Sequence, residues 1–153
     1  MKLEFYEILS KDDAFCKALG RVMLAASKLE IELKQYLRLQ GSEVSEKRAT
    51  LGNLIGILER NGHLTRNGEI HLKSINAQRN YLIHNLYGSF VGEIEDQMLP
   101  VNDLVHEDVE VYTEKTELTA YNFGVYSKVV RKAIEQHNKY SQQDAAKNAA
   151  PLL

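Results

Sequence analysis

Cysteine occurs once in the 153 residues, at Cys16, so no internal disulfide can form. A lone thiol fits a reducing compartment, and a cytoplasmic location is expected. Cys16 itself, on an apolar helix, reads as a small core residue. No apolar run approaches the roughly 18 residues a membrane span needs. The opening stretch MKLEFYEILSKDD has no long apolar core, so no secretory leader is expected. There is no Walker loop, no GxGxxG and no Gly-x-Ser-x-Gly elbow. His63, His71, His106 and His137 show no metal-ligand spacing, and Cys16 has no cysteine partner, so no metal or cofactor is expected. Internal repeats are also missing.

What is present is enough for one domain with a real core. Hydrophobic residues make up 44% of the chain and charged residues 26%. The charge is uneven. Between Gly88 and Glu117 nine acidic residues face Lys115 alone, which gives that stretch −8 and leaves +6 on the rest. A modestly basic body tolerates a polyanion such as RNA.

The pattern along the chain is helical. From Ser10 to Gln40, Phe15, Val22, Leu29 and Tyr36 repeat every seven residues, with Leu19, Ala26 and Leu33 between them. Ser10 and Asp13 suggest a capping box, and Gly41 a stop. A second helix is predicted over Thr50 to Arg60, with Leu51, Leu54, Ile55 and Leu58 on one face and Asn61-Gly62 at its end. A third is predicted over Asn67 to Tyr87, closed by Gly88, and a fourth over Thr119 to Tyr140. These give an all-α, four-helix up-down bundle as one domain over residues 1–140. The acidic insert 88–118 between the third and fourth helices is predicted to be partly extended, because VEVYT alternates. Residues 141–153 read as a frayed, flexible tail.

The third helix holds an anomaly. At about 100° per residue, Leu72, Ile75, Leu82, Ile83 and Leu86 share one arc, and Arg79 falls inside it. Beside the arc run Asn76, Asn80, His84 and Tyr87. An unpaired buried charge costs several kcal/mol or more. Arg79 therefore needs a carboxylate, as from the first long helix, or solvent, or a cleft that an anion occupies.

The stretch Arg79-Asn80-Tyr81-Leu82-Ile83-His84 resembles the R-x4–6-H motif of the HEPN superfamily, in the form where Asn follows the Arg. The preceding TLGNLIGILERNG resembles the short helix those domains place before the motif helix. Many members of that superfamily are metal-independent endoribonucleases of toxin–antitoxin and anti-phage systems. The resemblance implies catalytic roles for Arg79, His84 and Asn80, and a homodimer in which two motifs meet. A toxin would also need an antitoxin or other regulatory partner. Asn76, Tyr81 and Tyr87 are further candidates for holding RNA, the tyrosines by stacking on bases. The alternative is a non-catalytic module of the same fold that binds a protein or a nucleotide.

Overall fold

The computed structural model describes residues 2–47, 49–93, 108–142 and residue 153. Among these residues the fold is all-α and no strand occurs. The helices are α1 (Lys2–Lys11), α2 (Asp13–Leu39), α3 (Leu51–Arg60), α4 (Arg66–Asn80), α5 (Leu86–Val91) and α6 (Val109–Gln142), with a π-helical turn, Tyr81–Asn85, joining α4 to α5.

Local chemistry sets most boundaries. Asp12, not Ser10, caps α2: its carboxylate accepts the Phe15 N–H at 2.7 Å. Ser10 belongs to α1, where its hydroxyl donates to the Glu7 carbonyl. Thr50 and Thr65 cap α3 and α4 in the same way as Asp12. Gly41 and Gly62 end α2 and α3 in the left-handed region, and the N–H that follows each bonds back five residues, Ser42 to Leu37 and His63 to Leu58. Gly88 ends nothing. It lies inside α5, and Gly92 is the residue with positive φ that stops it.

α2 and α6 form the spine. The heptad residues Phe15, Val22, Leu29 and Tyr36 are buried, facing Phe123, Val130 and Ala133 in one core. The carboxylate of Glu32 is buried in this seam, where it accepts the Ser127 hydroxyl and lies 3.9 Å from Arg131. Gln40 meets His137 further along. Residue numbers rise together on the two helices, so α2 and α6 run parallel, and the expected up-down alternation does not hold. The reason is the connection after α2. Glu46 is tied back to Lys34 and Arg38, so the loop itself makes the descent. α3 then climbs from Glu30 to Tyr36. α4 descends, with Gly68 beside Tyr126 and Gln78 beside Thr119.

Two more expectations change. VEVYT is the first part of α6, not an extended segment. Its buried residues, Tyr112, Thr113 and Thr116, follow helical spacing, and Phe5, Phe90 and Tyr112 stack together. Cys16 is exposed rather than core, its thiol donating to the Ser10 carbonyl. Leu153, the last residue of the predicted tail, is buried, and its carbonyl accepts the Thr65 N–H at the start of α4. The rest of the predicted tail, from residue 143 to 152, and the middle of the acidic insert, 94–107, lie outside the described residues.

One pH effect follows from the core. His63 sits edge-on to Tyr36 with ring centroids 5.7 Å apart, and burial lowers its pKa below the ordinary value. The folded state thus binds this proton less well than the unfolded state. Its contribution to stability is present above about pH 6.5 and is lost as pH falls through the folded-state pKa. Urea midpoints at pH 7.5 and 5.5 should therefore fall less in His63→Gln than in the wild type.

Candidate functional site

Thr65 starts α4, and Leu72 and Ile75 bury its inner face. One turn after Ile75 the same face reaches Arg79. Its guanidinium is turned to the edge of the core, where the side chain keeps 24% of its surface exposed. Nη1 donates to the Asn80 side-chain oxygen at 3.0 Å. Nη2 lies 3.9 Å from the Glu30 carboxylate of α2, an ion pair too long for a hydrogen bond. Nε is buried with no hydrogen-bond partner. Of the three outcomes open to Arg79, the structure shows a carboxylate partner together with partial exposure to solvent, and its donors are only partly used.

Glu30 has a second duty. The same oxygen accepts the backbone N–H of Leu51, the first residue of α3, at 3.2 Å. The start of α3 is thereby drawn to Arg79. Asn76 closes the other side. Its amide nitrogen is 3.5 Å from where a Cβ on Gly52 would stand. Asn76, Arg79 and Asn80 are thus gathered with Glu30 near the first turn of α3, where the Glu30 carboxylate offsets both the guanidinium and the positive end of the helix. Thr50 holds that terminus by accepting the Asn53 N–H. A groove of about 360 Å³ extends along α3 from Gly52 and Asn53 to Gly56 and Arg60.

His84 lies within the π turn and is exposed. The turn matters for geometry. In a regular α-helix residues five apart differ by about 140°. A π turn bonds each residue to the fifth, not the fourth, and its wider coil turns less per residue, so the angle between positions 79 and 84 is smaller than in a regular helix. The packing that goes with the wide turn is plain: Tyr81 and Leu82 are both buried in succession, and Leu86 and Phe90 continue inward beyond it. Such turns inside α-helices are rare and frequently mark functional positions.

The two tyrosines separate. Tyr81 is buried and its hydroxyl is hydrogen-bonded to Ser89 at 3.2 Å, so it is a core residue with no face to offer a base. Tyr87 is exposed and packs edge-on against Tyr6, 5.0 Å between centroids. Glu30 was not identified individually from the sequence. Its polar position between Leu29 and Leu33 gives only a general signal.

Among the described residues no helix is long and apolar enough to cross a membrane, and no three His, Cys, Asp or Glu side chains gather as a metal-binding group. No family model, no curated protein and no solved structure matches this chain.

Proposed function

We propose that this chain is a metal-independent endoribonuclease that uses the Arg79–Asn80–His84 face, as the effector of a toxin–antitoxin or anti-phage system. The observation that carries the reading is a half-satisfied, partly exposed guanidinium followed, five residues on, by an exposed histidine in a π turn. Arginine binds a phosphate through paired N–H donors and offsets the charge that grows on it in the transition state. Histidine titrates near neutrality and can move a proton at either end of the reaction. The 2′-hydroxyl of the RNA attacks the adjacent phosphorus as a base takes its proton. The bond to the 5′-oxygen breaks, and that oxygen gains a proton. The products are a 2′,3′-cyclic phosphate and a 5′-hydroxyl. One chain supplies one His84, and a second copy presenting the same face would supply the other acid–base group.

Asn80 holds the guanidinium in this reading, and Asn76 contributes an amide to the phosphate. Tyr87 remains a candidate for base stacking. The fold relationship to HEPN domains belongs to the same proposal and rests on the motif residues.

The ion pair with Glu30 favours a second reading, a non-catalytic binding module in which Arg79 is structural. One variant separates the two. Arg79→Met with Glu30→Gln removes both charges together, so the fold should hold to within about 1.5 kcal/mol, the range of volume-conserving exchanges. Incubated with RNA in excess EDTA, the wild type should leave cyclic-phosphate ends, and the folded double variant should leave the RNA intact. Equal cleavage by both would remove Arg79 from the site. No cleavage by either would support the binding module.

A further inference from the structure

α6 carries a second surface that the candidate site does not use. Leu118, Tyr121, Val125 and Val129 recur at intervals of three, four and four residues, and all four are exposed, Leu118 at 57% and Tyr121 at 68%. At about 100° per residue they form one strip along the helix. Thr119, Phe123 and Val130 of the same helix are buried on the opposite side. Thr119 meets Gln78 of α4, so the strip turns away from the helix that bears Arg79. Single apolar side chains on a surface need no explanation. A continuous row about 17 Å long, at 1.5 Å per residue, marks a contact.

On one flank of the strip the exposed charges between residues 110 and 132 change sign along the helix, whereas exposed Lys115 stands on the other flank. Glu114 and Glu117 lie before Tyr121, and Lys128 and Lys132 lie after Val125, all exposed. A helix with this order complements itself when reversed. A twofold axis at the level of Phe123 sets Glu114 against Lys132 of a second copy, Glu117 against Lys128, and Tyr121 against Val125. A parallel pairing would set like charges against each other, so the order of charges selects the antiparallel one.

We propose that the occupant of this strip is a second copy of the chain, with α6 packed antiparallel on α6. The pairing is independent of the ribonuclease reading, and it leaves the Arg79–His84 face of each copy open. The contact is one helix wide, which makes it small and sensitive to salt.

Charge reversal tests it. Two variants of the full chain are prepared, Glu114→Lys with Glu117→Lys, and Lys128→Glu with Lys132→Glu. All four positions are exposed, so circular dichroism should report an unchanged fold. In sedimentation equilibrium each variant alone should show half the wild-type mass, because like charges now meet across the axis. Mixed in equal amounts, the two should recover the wild-type mass as a heteromer. Tyr121→Glu should halve the mass with no rescue by either. A wild type that stays monomeric at its highest soluble concentration overturns the proposal. So do charge-reversed variants that keep the wild-type mass, since the copies would then meet elsewhere.

Discussion

On the proposed ribonuclease reading, His84→Ala should lower RNA cleavage by about 100-fold to 10,000-fold, the range that a positioned acid–base group contributes. The fold is unaffected. His84 is exposed and in the π turn, and its imidazole belongs to no core cluster. The variant should melt with the wild type, since surface substitutions away from special features stay within about 0.5 kcal/mol. The measurement is the rate of release of cyclic-phosphate fragments at equal protein concentration, beside a thermal melt. Lost cleavage with an unchanged melt places the imidazole in the chemistry. Unchanged cleavage would sink the site assignment, whatever Arg79 does. His84→Gln is the useful companion. It keeps a hydrogen-bonding group and loses the titration, so it separates proton transfer from mere contact with the substrate.

Phe123→Ala destabilises the protein by about 3–5 kcal/mol, the usual cost of emptying an aromatic core position. Phe123 is fully buried in the middle of α6, in the same core cluster as Leu29, Leu33 and Tyr36 of α2. The cavity would open in the spine itself, where two long helices run parallel and have little room to collapse. At roughly 2–4 °C per kcal/mol for a chain of this size, the melting temperature should drop by roughly 6–20 °C. Leu118→Ala, five residues away on the exposed side, is the control. Its effect on stability at low protein concentration should be near zero. A drop as large as that of Phe123→Ala would mean that the strip is covered within the single chain, and would count against the antiparallel pairing of α6.

The helical character of this chain was legible because its apolar residues keep period over long distances. Phe15, Val22, Leu29 and Tyr36 bury as the heptad says, and so do Leu51, Leu54, Ile55 and Leu58. Short signals served less well. Ser10 and Asp12 are both good caps, and only the break between α1 and α2 shows which one acts. VEVYT satisfies a period of two over five residues, but the same letters fit a helix once Thr116 and Thr119 are added to the buried set. Cys16 lies beside Phe15 on the heptad helix, and a rotation of one residue decides which of them is inside.

The candidate site shows the same division. From sequence alone, Arg79 stands on an apolar arc and must have a partner, reach solvent or line a cleft, because an unpaired guanidinium is too costly to bury. That conclusion needs only the helical period. Which carboxylate answers it, and how completely, depends on α2 lying beside α4 and on Glu30 being shared with the first N–H of α3. The π turn was likewise not legible. An α turn and a π turn differ by one residue in the closing hydrogen bond, a small local difference. Here it accompanies the burial of Tyr81 against Ser89 and of Phe90 against Phe5 and Tyr112, residues from three separate helices. Periodicity is a property of neighbours in the chain, so sequence determined the helices and the misplaced arginine. The direction of α6, the partner of Arg79 and the packing around the π turn that holds His84 were decided by contacts between residues far apart in the chain, which only the folded structure brings together.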